Sequence, residues 1–87
     1  MSPAYEVLLE SSAERDLKRL SREDFHRVVA ALRALAATPR PRQSRKLEGS
    51  VNDWRIRVGS VRVVYEIDDR SKTVRVMRVK HRRDFYR

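Results

Sequence analysis

The sequence contains no cysteine among its 87 residues, so neither a disulfide nor a cysteine-ligated metal can supplement its core. No apolar run approaches the roughly 18 residues that a membrane-spanning helix requires, so we expect no membrane contact. The first residues, MSPAYEVLLE, lack a basic segment followed by an apolar one, and we expect no signal peptide and a cytoplasmic location. At this length we expect a single domain over residues 1–87, with a thin hydrophobic core.

The motifs of several enzyme classes are also absent. The sequence has no HExxH pair and no glycine-rich phosphate-binding loop, and its basic strands offer no clustered pair of Asp or Glu residues. Metal-assisted hydrolysis needs carboxylates or histidines that lie together. We therefore expect no metal and no other cofactor.

What the sequence has in excess is positive charge, with a formal net charge of +9. Residues 1–39 contain six Lys or Arg and six Asp or Glu, so residues 40–87 carry the whole excess. A basic half of this kind is typical of a surface that binds a polyanion such as nucleic acid. A solubilising surface or an acidic protein partner would explain the same composition.

The first half of the chain predicts a short strand and a helical hairpin. Apolar side chains recur at period two over residues 5–9, as in a strand. Ser11 and Glu14 fit a capping box, which predicts a first helix that begins one residue after the serine. Ser21 and Asp24 repeat this pattern before a well-formed amphipathic stripe, which predicts a second helix.

The second half predicts a loop and three antiparallel strands. Residues 39–53 are rich in proline, polar residues and glycine, and Pro39 ends the preceding helix. From Trp54 onward the apolar positions alternate, and Gly59–Ser60 reads as a hairpin turn. Residues 73–79 form the last strand of this three-stranded antiparallel meander. We predict an α+β fold whose helices pack on one face of the sheet and leave the other face free.

Three arginines should converge on that free face. If the apolar residues of the first two meander strands face the helices, then Arg55, Arg57 and Arg62 face away from them. Neighbouring strands lie roughly 5 Å apart, so these like charges repel each other at a modest cost. Arginine forks match phosphate oxygens, which indicates a phosphate site. Exposed strand positions of an arginine-rich chain could also collect arginine by chance.

Further candidate residues lie in the loop and near the C-terminal end. The loop is either a solvated connector or an arm over a phosphate backbone, and its cations are Arg40, Arg42, Arg45 and Lys46. Histidine can exchange a proton near neutral pH, so His81 could serve in acid–base chemistry or be a surface residue. Tyr86 could stack on an RNA base or close the edge of the core.

The lack of clustered metal ligands limits the chemistry that the three arginines of the free face could support. Any phosphodiester cleavage there would have to proceed without a metal. This favours RNA, because its own 2′-hydroxyl can attack the adjacent phosphate. The protein would then only orient that hydroxyl, stabilise the phosphorane and protonate the leaving 5′-oxygen.

Three stretches of the sequence, RKLEG, WRIRVGSVRVVYEID and VKHRRDFYR, resemble the RelE branch of the RelE/ParE toxin superfamily. The order of elements fits this RelE-like pattern across nearly the whole chain. The resemblance implies a metal-independent endoribonuclease that cleaves messenger RNA in the ribosomal A site. It also implies a cognate antitoxin that wraps and neutralises the toxin.

The resemblance further implies a role for each matching residue. Arg55 and Arg57 correspond to the basic pair proposed to activate the 2′-hydroxyl and to hold the backbone. Arg62 corresponds to the arginine that stabilises the phosphorane, and Arg82 to the arginine proposed to protonate the leaving group. Tyr86 corresponds to the tyrosine that stacks on and orients the substrate base.

The chain departs from the best-studied pattern because its basic pair is arginine rather than lysine. Arginine hardly deprotonates, so His81 would take a larger share of the proton transfer. Lys46 lies in the loop where the family often has a basic residue. The alternative is the ParE branch, which shares the fold and the basic character but binds DNA gyrase and does no RNA chemistry.

Overall fold

The computed structural model describes residues 4–85, with the side chain of Phe85 excepted. The elements follow in the order β1 (Glu6–Leu9), α1 (Ser11–Lys18), α2 (Arg22–Leu35), β2 (Arg45–Lys46), β3 (Asp53–Val58), β4 (Val61–Asp68), β5 (Thr73–His81) and a 3₁₀ turn (Arg82–Phe85). The strands form one sheet in the order β1-β5-β4-β3-β2. β1 runs parallel to β5, and the other pairs are antiparallel. The predicted α+β order of elements is confirmed, with β2 as an additional strand.

The strand β2 corrects the prediction that residues 39–53 are a loop throughout. Arg45 pairs with Arg55 and Lys46 with Trp54, so this short segment extends the sheet beyond β3. A strand of two residues has too few positions to show an alternating pattern, which is why the sequence does not reveal it. The pairing attaches both cations to the edge of the sheet.

The two helix starts differ in how they are capped. The predicted cap of α2 is confirmed, because the Asp24 amide donates to the Ser21 hydroxyl at 3.1 Å. The predicted capping box of α1 is wrong, since Ser11 is already helical and Glu10 is the N-cap residue. The Glu10 amide donates to the Val76 carbonyl at 2.9 Å, so β1 holds the chain extended up to the first residue of α1.

The hydrophobic core lies between the helices and one face of the sheet. Its buried side chains come from both helices and from β3, β4 and β5: Ala13, Leu17, Val28, Leu32, Leu35, Ile56, Val61, Val63, Tyr65, Ile67, Val74, Val76 and Val79. Tyr65 is the largest of them, and its hydroxyl donates to the Pro39 carbonyl at 2.8 Å. Burial raises the pKa of Tyr65 to about 12. The hydrogen bond from Tyr65 to Pro39 ties the segment between α2 and β2 to the core.

A β-bulge in β5 decides which side chains reach the free face. Val64 is opposite Arg78, and Tyr65 is opposite Val76, so Met77 is the extra residue. Strict alternation from Val76 would turn Arg78 toward the helices. The extra residue reverses the alternation, which buries Val79 and turns Arg78 to the free face.

The helix α1 covers the part of β5 that extends beyond β1. The last β1 residue to pair is Leu9, which is opposite Val76. Beyond it, the Ser12 hydroxyl donates to the Met77 carbonyl at 2.7 Å, and the Asp16 carboxylate accepts from the Val79 amide at 2.9 Å. Helix side chains thus satisfy the backbone groups of an otherwise open strand edge. In residues 4–85, neither helix has the length and apolar character needed to cross a bilayer.

Candidate functional site

The free face of the sheet brings the three predicted arginines together. Arg57 and Arg62 are direct cross-strand partners, and Arg55 lies two residues along β3, opposite Val64. Arg62 is only 8% exposed, so neighbouring residues enclose most of its side chain. The side chain of Arg57 is exposed. Guanidinium groups of two adjacent strands therefore share one surface, as alternation predicts.

A cleft of about 590 Å³ opens on this face. It is lined by Lys46, Leu47, Glu48, Arg55, Arg62, Val64 and Arg78. Its cations come from β2, β3, β4 and β5, which are neighbours in the sheet. One carboxylate, that of Glu48, opposes these cations at the cleft wall. The cleft is therefore strongly electropositive, and low-dielectric walls would focus that field on an anion.

The positive surface continues beyond the cleft toward β2. A smaller hollow of about 280 Å³ is lined by Gln43, Arg45, Arg55 and Arg57. Arg55 borders both concavities, so they are neighbours along β3. Together the cleft and this hollow form a surface that we call the basic face. It offers guanidinium groups over several strand spacings, as a polynucleotide backbone would require.

Arg78 is the cleft residue that sequence reasoning missed. Strict alternation from Val76 does not place this side chain on the free face, because it takes no account of the bulge at Met77. The available signal was the spacing of Val74, Val76 and Val79, whose final interval of three residues breaks the period of two. Such a break inside an apolar strand pattern is the mark of a bulge.

Asp16 of α1 holds Arg78 at the cleft wall. Its carboxylate accepts from Arg78 Nε at 3.0 Å and from Nη2 at 3.4 Å, and it also accepts from the Val79 amide. Asp16 is only 5% exposed. Burial opposes its ionisation, but the hydrogen bonds from Arg78 and Val79 outweigh this and hold the pKa of Asp16 below its usual value.

His81 lies away from the cleft. Its register partner is Val61, a core residue, so His81 stands on the helix side of the sheet. Its Nε2 atom is 3.8 Å from Asp24 Oδ2 of α2. The structure therefore does not bring His81 together with Arg55 and Arg62.

Arg82 lies beside the β3–β4 turn. Its amide donates to the Ser60 carbonyl at 2.8 Å, and its side chain is exposed. Arg82 and Arg83 line a hollow of about 330 Å³ with Ser60 and His81. Tyr86, the predicted stacking residue, lies outside the described residues.

The loop cations divide into two groups. Lys46 lines the cleft and Arg45 the adjacent hollow. Arg40 instead forms a bidentate pair with Asp69, at 2.8 and 3.3 Å, and its guanidinium lies 5.3 Å from the Trp54 ring centroid. Arg40 lowers the pKa of Asp69 through these hydrogen bonds.

Arg42 has an exposed side chain and contributes through its backbone. Its carbonyl accepts from Arg45 Nη1 at 3.2 Å. The same Nη1 also donates to the Ser44 carbonyl at 2.9 Å. Of the four loop cations predicted to bind RNA, the structure therefore brings Arg45 and Lys46 to the basic face and leaves Arg40 and Arg42 outside both of its concavities.

Comparison with known proteins identifies the class of this fold. The family described as ParE toxin of type II toxin-antitoxin system, parDE, matches residues 7–86. The chain belongs to the RelE/ParE superfamily of toxins from type II toxin–antitoxin systems. No curated protein matches the sequence.

Several solved structures share this fold. The RelBE2 toxin–antitoxin complex of Mycobacterium tuberculosis contains a chain that is 32% identical, with a TM-score of 0.81 over 93% of this chain and 100% of that one. The RelE-RelB complex of Pyrococcus horikoshii contains a chain that is 26% identical, with a TM-score of 0.81 over 91% of this chain and 96% of that one. The YoeB/ParE toxin of Agrobacterium tumefaciens, at 17% identity, 87% and 96% coverage and a TM-score of 0.75, shows the same fold alone.

Proposed function

We propose that this toxin is a metal-independent endoribonuclease that cleaves messenger RNA in the ribosomal A site and so inhibits translation. The observation that carries the proposal is the cleft to which four neighbouring strands each contribute a cation: Lys46, Arg55, Arg62 and Arg78. A cleft of this charge matches the phosphodiester backbone of single-stranded RNA. Kinship with the 32% identical chain of the RelBE2 complex supports the RelE branch.

The chemistry follows from the charges that develop during cleavage. The 2′-hydroxyl loses its proton to solvent water and its oxygen attacks the adjacent phosphorus. The bond from phosphorus to the 5′-oxygen breaks, the 5′-oxygen takes up a proton, and the products carry a 2′,3′-cyclic phosphate and a 5′-hydroxyl. Arg62 suits the phosphorane, since the charge of a buried guanidinium is poorly screened by water and acts strongly on the negative charge that builds up. Arg55 and Arg57 would hold the backbone and orient the 2′-hydroxyl.

The leaving 5′-oxygen needs a proton, and the substrate base needs support. We assign the proton transfer to Arg82 and the stacking to Tyr86. Within residues 4–85, no group of three His, Asp or Glu side chains lies close enough together to hold a metal ion. We therefore expect cleavage to persist in EDTA, provided that crosslinking keeps the ribosomes intact.

The toxin would be neutralised by a cognate antitoxin. The similar chains from M. tuberculosis and P. horikoshii were solved as toxin–antitoxin complexes. A net charge of +9 favours an antitoxin segment that is acidic or amphipathic. Messenger RNA and ribosomes are cytoplasmic, so the proposal also assigns the toxin's action to the cytoplasm.

The test is single-turnover cleavage of a programmed ribosome by the purified toxin. We expect one or a few cuts in the A-site codon, with a 2′,3′-cyclic phosphate on the upstream fragment. Cleavage should be unchanged by EDTA on crosslinked ribosomes. Intact messenger RNA after prolonged incubation with a folded toxin would refute the nuclease proposal.

The second candidate is inhibition of DNA gyrase, which the match to the ParE toxin family favours. A gyrase inhibitor would need the basic face for protein or DNA contact and not for phosphodiester chemistry. Measurements of translation and of plasmid supercoiling in cells that express the toxin separate the two proposed functions. A nuclease stops translation first, whereas a gyrase inhibitor first changes plasmid supercoiling and leaves the messenger RNA intact.

A further inference from the structure

Arg78 forms the β5 wall of the cleft, opposite the wall that Lys46 forms from β2. It is opposite Val64 in the register, and its side chain is 43% exposed. Its exposure gives a ligand access to the guanidinium, although a buried carboxylate holds one side of it. Neither the sequence pattern nor the family resemblance assigns this residue a role.

The contact with Asp16 orients Arg78 before any ligand binds. The carboxylate engages Nε and Nη2 and leaves the Nη1 amino group outside this ion pair. Asp16 itself is fixed by burial and by the Val79 amide. An arginine held in this way loses less conformational freedom when it binds a phosphate than a freely rotating side chain does.

We propose that Arg78 binds a backbone phosphate that neighbours the scissile one, and that Asp16 is its positioning residue. The cleft then contains two phosphate subsites, one at Arg62 and one at Arg78 on the adjacent strand. This inference rests on the proposed function, because it takes the anion in the cleft to be RNA. The second subsite serves substrate binding and leaves the chemical step to the residues around Arg62.

Arg75 provides a matched comparison within the same strand. It stands on the same face as Arg78, since its register partner Glu66 alternates with the buried residues of β4. Its guanidinium is paired with both Glu10 and Glu66, and it does not line the cleft. Removal of Arg75 therefore subtracts the same charge from the same strand without touching the proposed subsite.

The first test measures binding without cleavage. The probe is a single-stranded RNA in which 2′-O-methyl groups prevent attack by the 2′-hydroxyl, titrated with folded toxin at several salt concentrations. Arg78→Ala should weaken binding roughly tenfold and reduce the log–log salt slope by about 0.7, the value for one phosphate contact. Arg75→Ala should leave both quantities at the wild-type value. Arg78→Lys, which keeps the charge, should restore the slope.

The second test asks whether Asp16 acts through Arg78. Asp16→Asn keeps an acceptor for the Val79 amide but loses the charge that holds the guanidinium. It should weaken RNA binding, and the double variant with Arg78→Ala should bind no more weakly than Arg78→Ala alone. Ser12→Ala, which removes the other contact between α1 and the β5 edge, should leave RNA binding unchanged.

Cleavage kinetics separate this subsite from the chemical step. Arg78→Ala should raise KM on programmed ribosomes and leave kcat within about twofold, because a contact made equally in the ground and transition states affects binding alone. A fall in kcat comparable to that of an Arg62 variant would overturn the assignment to a neighbouring phosphate.

The remaining outcomes distinguish this inference from the proposed function. If the wild-type toxin binds RNA with a steep salt slope and Arg78→Ala keeps that slope, the inference is wrong and the nuclease proposal stands. If Arg78→Ala lowers the slope but the wild-type toxin cleaves nothing, the phosphate subsite stands and the nuclease proposal fails. If Arg78→Ala weakens only the binding of the antitoxin, the residue belongs to that interface and the inference is overturned.

Discussion

Arg57 of β3 and Arg62 of β4 are direct cross-strand partners, so two guanidinium side chains leave the same face of one hairpin at opposite positions. Like charges in this arrangement destabilise an antiparallel pair, by up to about 1 kcal/mol. Two features fix the register that creates the pair. The turn at Gly59, whose φ is 61°, sets how the two strands meet. A slip by one residue would also move the core side chains to the free face. A locally unfavourable pair within a well-formed sheet is typical of a functional surface.

The first prediction concerns the cost of this pair. Arg57→Gln removes the repulsion and should raise the free energy of unfolding by a few tenths to about 1 kcal/mol, while RNA cleavage becomes slower. Urea denaturation and single-turnover cleavage measure the two effects. Arg70→Gln, which removes one positive charge from the β4–β5 turn, is the control and should change neither by a comparable amount. A less stable Arg57→Gln protein would show that the pair is not strained.

The second prediction concerns the chemical step. Arg62→Gln and Arg82→Ala should each cleave at least about a hundredfold more slowly, the usual cost of losing one positioned electrostatic donor. Arg82→Ala should bind RNA nearly as well as the wild type, whereas Arg62→Gln, which loses a cation of the cleft, should bind about as weakly as Arg78→Ala. Glutamine is chosen at position 62 because the side chain is buried and alanine would leave a cavity. Single-turnover rates and binding to 2′-O-methyl RNA separate the two effects. Wild-type cleavage rates for both variants would show that neither arginine takes part in the chemical step.

The sequence predicted the elements whose patterns are local. The alternation after Trp54 and the Ser21 cap needed no knowledge of the rest of the chain, and both were confirmed. The strand β2 could not be predicted, because Arg45 and Lys46 are extended only by their pairing with the open edge of β3, which lies elsewhere in the chain. The cap of α1 failed for a similar reason, since the Glu10–Val76 hydrogen bond between β1 and β5 decides where the helix begins.

The candidate site shows the same division. The face shared by Arg55, Arg57 and Arg62 followed from alternation within two strands. The contribution of Arg78 depends on a bulge in a third strand and on a carboxylate 62 residues away in sequence, in α1. His81 lines a hollow with Arg82, its neighbour in sequence, but it does not join Arg55 and Arg62. His81 is the last residue of β5, and its register with Val61 places it on the side of the sheet opposite to Arg55 and Arg62.

The third prediction concerns the two groups of loop cations. Lys46→Gln should reduce the log–log salt slope of RNA binding by about 0.7, because Lys46 lines the cleft. Arg40→Gln should leave the slope unchanged, since its guanidinium is paired with Asp69 and stacked on Trp54. It should instead lower the free energy of unfolding by up to about 1 kcal/mol. Equal effects of the two variants on the slope would mean that RNA extends over both groups.

The fourth prediction concerns His81. Its ring faces Asp24 of α2, so we expect His81→Gln to reduce the single-turnover cleavage rate less than about tenfold, well below the effect of a lost general acid or base. Asp24→Asn removes the facing carboxylate and serves as the matched control, with an equally small effect on cleavage. A loss as large as that of Arg82→Ala would make His81 a participant in the proton transfer.

The last prediction concerns acid stability and follows from the lowered pKa of Asp16. A carboxyl group whose pKa is lower in the folded state stabilises the fold above its unfolded pKa, about 3.9, and this stabilisation is lost as the pH falls through the folded pKa. Asp16→Asn should therefore be less stable than the wild type at pH 7, by about 1.5–3 kcal/mol for a charged hydrogen-bond acceptor. The difference should shrink as the pH falls below about 3.9, because the unfolded wild type then binds a proton while the folded Asp16, with its lower pKa, stays ionised. Urea denaturation between pH 3 and pH 8 measures it, and Glu23→Gln, at an exposed carboxylate, should show little change at any pH. A difference that stays constant down to the lowest pH would mean that Asp16 stabilises the fold through its shape and packing and not through its charge.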